Sequence, residues 1–207
     1  MRPFRREAGT LVPLDRSDVD TDQIIPKQFL KRIERTGYGD FLFHDWRAAP
    51  DGTPREDFVL NQEAYRGGSV LVAGRNFACG SSREHAVWAL NDYGFRAVIA
   101  PSFADIFRNN ALKSGLLPVL LPEDDVRRLL DLAQEAPGVV ATVDLEAQTV
   151  SAGDLRFSFT MDEFERRMLL EGLDDIALTL HHADAIGAYE QTRPRWMPSV
   201  AREAVSS

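Results

Sequence analysis

The segment Ser69-Val-Leu-Val-Ala73 is a continuous apolar run held between Gly67-Gly68 and Gly74. A run this short and uniform is the pattern of a strand buried on both faces, as in a sheet that helices cover on its two sides. Residues 82–92 then carry Ala86 and Leu90, with Tyr93 close behind, at helical spacing, and Gly94 is a natural C-terminal stop. Ala97-Val-Ile-Ala100 repeats the buried-strand pattern. Strand, helix and strand within about thirty residues have the size of a βαβ unit, which calls for a parallel pair. An α/β fold with a parallel or mixed sheet core is expected.

Thr10 to Leu14 reads as a first strand feeding the acidic turn Asp15 to Asp22, and Pro26 starts a short helix through Lys31. From Arg32 to Asp57 neither period holds, which marks a long irregular segment of functional interest. Ser102 is expected to cap a short helix reaching Asn110, and Leu116 to Leu121, interrupted by Pro118, suits an edge strand. Between Glu123 and Gln134 a helical stripe of Val126, Leu129, Leu130 and Ala133 follows a first turn rich in acids. Val139 to Leu145, Thr149 to Ser151 and Leu155 to Phe159 form a β-rich patch, with helices expected over 162–170 and 174–189. No internal repeat divides the 207 residues. One domain over 1–192 is expected, with 193–207 as a flexible C-terminal tail.

Composition limits the function. The 24 Lys+Arg against 32 Asp+Glu give a net charge of −8, a field that repels phosphate backbones and anionic lipid, so neither nucleic acid nor membrane is an expected partner. No apolar stretch approaches the roughly 18 residues of a membrane-spanning helix, and the first residues lack a secretory apolar core; a cytoplasmic protein is expected. Cys79 is the only cysteine, which excludes an internal disulfide and any cluster or zinc site built from several cysteines of this chain.

The chemistry gathers in Gly74-Arg-Asn-Phe-Ala-Cys-Gly-Ser-Ser-Arg-Glu-His85, between a buried strand and a helix start. Loops at that place aim backbone N–H groups at whatever lies in front of them. Gly80 removes steric bulk, Ser81 and Ser82 supply hydroxyls, and Arg83 supplies a bidentate fork, a combination suited to an anionic small molecule. The competing reading is a Ser81–Glu84 capping box with Arg83 as a solvated charge. His85, one turn into the helix, reads as a packing residue, with activation of a serine as the alternative. Cys79 reads as a small buried side chain. Asp18-Val-Asp-Thr-Asp22 has the first carboxylates of a calcium loop, but Gln23 and Phe29 stand where its glycine and last glutamate are needed. An Asx-turn and a functional carboxylate at Asp22 both remain open. His181-His182 lacks a spaced partner and reads as helix surface, and no zinc-protease, P-loop or nucleophile-elbow motif is present.

Four stretches carry a resemblance. Val19-Asp-Thr-Asp-Gln-Ile-Ile-Pro-Lys27, Gly80-Ser-Ser-Arg-Glu-His85, Asp92-Tyr-Gly-Phe95 with Val98-Ile-Ala-Pro-Ser-Phe-Ala-Asp-Ile-Phe107, and Gly172-Leu-Asp-Asp-Ile-Ala-Leu-Thr179 closely resemble bacterial 3-isopropylmalate dehydratase small subunits, from about Gly9 to Tyr189. The resemblance implies a swivelling β/β/α domain, the detached counterpart of the aconitase C-terminal domain. It implies a heterodimer with a large subunit that binds a [4Fe–4S] cluster through three cysteines, this chain binding no cofactor or metal. The pair would be a hydro-lyase that isomerises 2-isopropylmalate to 3-isopropylmalate in leucine biosynthesis. By the same resemblance Ser81 is the base, Asp22 an active-site carboxylate near the departing hydroxyl, and Ser82 and Arg83 ligands of a substrate carboxylate. The segment Leu30 to Thr36 resembles the loop facing the substrate's variable group, and Phe29, Leu30 and Ile33 offer the apolar contact an isopropyl group needs. A related hydro-lyase acting on homoaconitate, citraconate or maleate is the nearest rival, with Arg32 or Arg35 able to meet an extra carboxylate. A non-catalytic regulatory subunit and a free-standing anion-binding module are the others.

Overall fold

The computed structural model describes residues 1–31, 36–194 and 196. Residues 1–174 make one compact unit and residues 175–207 a second. The first unit is built on a seven-stranded sheet of β1 (Arg6–Leu14), β2 (Val70–Ala73), β3 (Ala97–Ala100), β4 (Leu117–Leu120), β5 (Val140–Asp144), β6 (Thr149–Ala152) and β7 (Leu155–Ser158). Their spatial order is β4-β3-β2-β1-β5-β6-β7. Strands β1 to β4 run parallel, and β5 to β7 form an antiparallel meander hung on β1.

Strand β1 joins the two halves. Leu11–Leu14 pair with β2, whereas Arg6–Thr10 pair with β5. Burial changes at the same point: the first half alternates and the second half is buried throughout, because only there do layers cover both faces. Strands β2 and β3 are buried at every position. Strand β4 is the edge, where Pro118 lacks the N–H that a central strand would need.

The helices are α1 (Thr21–Ile24), α2 (His44–Arg47), α3 (Glu84–Tyr93), α4 (Asp105–Ser114), α5 (Glu123–Glu135), α6 (Glu163–Glu171), α7 (Asp175–Leu180) and α8 (Ala183–Thr192). Alternate residues of the central strands feed two cores, as a period of two requires. Val12, Leu14, Leu71 and Val98 pack with Ala86, Val87 and Leu90 of α3, while Leu11, Val70, Val72 and Ile99 pack with Val126, Leu129, Leu130 and Ala133 of α5. The irregular stretch from residue 36 on is a packed layer over the first core: Tyr38, Leu42 and Phe43 are fully buried, and Phe58, Leu60 and Tyr65 nearly so. No helix among the described residues is long and apolar enough to cross a membrane.

Three sequence expectations give way. Helix α4 begins at Asp105 with Ala104 as its N-cap; Ser102 instead accepts the Asn76 N–H on its hydroxyl at 2.8 Å and the Phe77 N–H on its carbonyl at 3.0 Å. The helix expected over 174–189 is two helices, parted at His181-His182, where the His182 N–H turns to the Thr179 carbonyl in a tighter bond. Those histidines therefore lie in a turn. The Ser81–Glu84 box is not formed, since α3 starts at Glu84 with Arg83 as N-cap and no side-chain capping bond.

Candidate active site

Beyond their C-terminal ends the parallel strands continue as three loops that pair with one another. Asp18 donates its N–H to the Arg75 carbonyl at 2.9 Å, Cys79 to Val19 at 3.0 Å, and Thr21 to Cys79 at 3.0 Å. On the other side Ala104 donates to Phe77 at 3.1 Å. The middle loop is thus clamped between its neighbours at the crevice where open α/β sheets hold ligands. Gly74 makes the first clamp possible: a Cβ there would meet the Arg16 carbonyl oxygen at 2.6 Å. Left-handed backbone recurs at Asn76, Ala78 and Gly80, with φ of 55°, 60° and 87°. Ala78 has no glycine's freedom, and such a conformation costs about 1–2 kcal/mol, a strain confined to the loop that carries the candidate groups.

Phe77 anchors this loop. It is fully buried and meets Phe107 and Phe103 edge-on at centroid distances of 5.5 and 6.2 Å. Phe77→Ala is expected to cost about 3–5 kcal/mol of stability in urea denaturation. A cost below about 1.5 kcal/mol would mean that the site loop closes over the void.

Asp20 makes the capping box that the sequence suggested for Ser81. Its carboxylate accepts the Gln23 N–H at 2.8 Å, and the Gln23 side-chain oxygen accepts the Asp20 N–H at 2.9 Å. The box fixes α1, and Asp22 in its first turn is ion-paired with Arg83. The three acids that suggested a calcium loop therefore part company: Asp18 accepts from the Asn76 side chain at 2.9 Å, Asp20 caps α1, and Asp22 faces Arg83. Among the described residues no group of His, Cys, Asp and Glu converges as a metal site. The Arg83 guanidinium holds the Asp22 carboxyl below its ordinary range, partial burial opposing and Lys27 adding to it. Asp22 is ionised at neutral pH, and the stability it contributes is fully present above the ordinary carboxylate range and is lost as pH falls from there through that lowered value.

Ser81 and Ser82 are exposed, and the Ser81 carbonyl is held by the Thr21 hydroxyl at 3.0 Å. The Ser81 side chain makes no hydrogen bond among the described residues. A cavity of about 230 Å³ opens beside it, lined by Thr21, Gly80, Ser81, Arg83, Asp105 and Ile106 among others. Asp105 and Ile106 were not singled out from the sequence, although the Ser-Phe-Ala-Asp-Ile-Phe run follows the third parallel strand, where such a wall belongs. His85 packs against Tyr38 and Trp88 at 5.4 and 4.7 Å. Cys79 is only partly buried, and burial pushes its thiol up, with Asp20 and Asp18 adding to that; it is no ready thiolate.

Phe29 and Leu30 lie against the first core, Phe29 stacked on Phe41 at 4.1 Å and edge-on to His44 at 4.9 Å. Thr36 is exposed. Ile33, Arg32 and Arg35 lie outside the described residues.

The aconitase C-terminal domain model matches residues 1–124, more than half of the chain. The model for the C-terminal domain of the 3-isopropylmalate dehydratase small subunit matches residues 175–201, and LeuD_N matches 127–163. The 3-isopropylmalate dehydratase small subunit of Koribacter versatilis is 58% identical over 92% of this chain and 98% of its own. That of Rubrobacter xylanophilus is 56% identical over 97% and 100%. This chain belongs to the 3-isopropylmalate dehydratase small subunits. A crystal structure of 3-isopropylmalate dehydratase (leuD) from Methanocaldococcus jannaschii superposes with a TM-score of 0.63 at 28% identity, over 89% of this chain and 99% of that one. Membership in the small-subunit family gives the mixed α/β sheet its class: it is an aconitase C-terminal-type domain, and the enzyme concerned is a hydro-lyase.

Proposed function

We propose that this chain, docked on an iron–sulfur large subunit, completes the active site that converts 2-isopropylmalate to 3-isopropylmalate, a step of leucine biosynthesis. The observation that carries this reading is that Ser81 and Arg83 line one cavity and Arg83 is ion-paired with Asp22, in a chain of the small-subunit family. Small-subunit membership implies a large-subunit partner. A lone cysteine with a raised thiol cannot hold a cluster that needs several thiolates, so the cluster belongs to that partner. There it would supply Lewis-acid stabilisation of the departing hydroxide.

The residues of this chain divide the remaining work. Arg83 receives a substrate carboxylate with its fork and, with Ser82, sets the carbon that loses its proton. The Ser81 oxygen takes that proton as the C–H pair becomes the C=C bond and the neighbouring C–O bond breaks. A serine oxygen is a poor base unless negative charge on it is stabilised, and Arg83 with the N–H groups at the start of α3 supplies that. Asp22, ionised, accepts a hydrogen bond from the hydroxyl or water that leaves and returns. Addition of water with the two carbons exchanged, Ser81 giving the proton back, yields the isomer. Phe29, Leu30, Ile33 and Thr36 belong to the segment assigned to the isopropyl side.

Anaerobic assay of this chain, of a reconstituted large subunit and of the two mixed will test the reading. Turnover of 2-isopropylmalate is expected in the mixture alone, with citraconate, maleate and homoaconitate inert. Turnover of one of those acids instead would move the specificity, and turnover by the large subunit alone would reduce this chain to a regulatory role.

A further inference from the structure

Asp22 stands between two cations of different character. One carboxylate oxygen pairs with Arg83, and the other lies 3.4 Å from Nζ of Lys27. The Arg83 side chain is 10% exposed and that of Lys27 73%, so Arg83 is fixed at the cavity while Lys27 moves on a flexible stem. The Asp22–Arg83 pair joins the first turn of α1 to the N-cap of α3, 61 residues apart. The Asp22–Lys27 contact lies within one short segment, where the capped α1 and then Pro26 stiffen the backbone between them. It does not depend on where Arg83 points.

A substrate carboxylate arriving at Arg83 meets a guanidinium that already faces Asp22. Two carboxylates on one cation repel, and in a partly desolvated site one of them must gain a proton or another cation. Asp105 on the cavity wall sharpens the conflict. We infer that Lys27 is a positioning residue that takes over the Asp22 carboxylate as Arg83 turns to the substrate, keeping Asp22 ionised and in place. The identity of the incoming anion rests on the function proposed above; the exchange of partners rests on the ion-pair geometry.

The exchange can be tested without turnover by carbon-13 NMR titration of the Asp22 carboxyl in the isolated chain. In Arg83→Gln, Asp22 is expected to titrate still below the ordinary value of about 3.9, and in Arg83→Gln with Lys27→Ala to return to it. An ordinary value in Arg83→Gln alone would show that Lys27 does not hold Asp22, and the inference would be wrong whatever the enzyme turns over. In the reconstituted enzyme Lys27→Ala is expected to raise KM about tenfold with kcat within about threefold, and Lys27→Arg to recover most of it. In an Asp22→Asn background the same change should move KM by less than about twofold, because no carboxylate is left to hold. An unchanged KM in Lys27→Ala, or an equal rise with and without the Asp22 carboxylate, would overturn the positioning role, the latter in favour of direct substrate contact. If the wild-type mixture prefers another acid, the substrate assignment fails, and the same comparisons made with that acid decide the role of Lys27.

Discussion

Ser81→Ala in the reconstituted enzyme is expected to lower kcat by about 100- to 10,000-fold, the range for loss of a general base, with KM within a small factor. The split follows from when the hydroxyl acts. Its oxygen is proposed to gain a proton only in the transition state, so removing it leaves substrate binding nearly intact. The variant should fold normally. Ser81 is exposed, and its place in the loop is held through its carbonyl by Thr21, which alanine retains; an exposed change of this kind falls within about 0.5 kcal/mol. Steady-state rates beside a melting curve make the check, and an active Ser81→Ala enzyme would end the assignment of the base. A variant that melts normally but no longer associates with the large subunit would instead make Ser81 an interface residue.

Arg83→Gln should cost about 100-fold or more in kcat/KM, through KM for the lost carboxylate contact and through kcat for the lost support of the Ser81 oxygen, in the range expected when one partner of a desolvated, hydrogen-bonded charge pair is removed. The side chain is nine-tenths buried, so solvent replaces little of what is lost. Arg83→Lys should recover only part of the loss, since an ammonium offers a point charge where a carboxylate is matched by a planar fork. Initial rates over a range of substrate concentrations separate the two parameters. A KM unchanged in Arg83→Gln would take the carboxylate away from this residue.

Most of the fold was legible in the order of residues, for an identifiable reason. Burial on two faces leaves a continuous apolar run, so β2 and β3 were plain, and the stripe of α5 announced both the helix and the face it buries. The misreadings share a cause. Ser81 and Ser102 both stand where a helix cap could be, but Asp20 makes the box that Ser81 does not, and Ser102 joins the loop ladder through Asn76 and Phe77. Local pattern identifies a group able to cap; neighbours arriving from elsewhere decide whether it does. The cavity wall at Asp105 and Ile106 was not legible as part of the site: both lie in a stretch that carries the resemblance, but no spacing there announces chemistry, and only the pairing of distant loops brings them beside Ser81.

Residue order alone, then, announced an α/β chain, a serine–arginine loop after a buried strand, a single cysteine, and a family resemblance spanning most of the length. Only the folded chain decided that Asp22 shares its charge with Arg83 across 61 residues, that Thr21 holds the Ser81 backbone, and that Lys27 stands by as a second cation. Periodicity reports the surroundings of each residue in its own element. Which elements meet is set by strand pairing and by the hydrogen bonds of loops distant in sequence, and the ion pair at this site exists because the exits of β1 and β2 lie side by side.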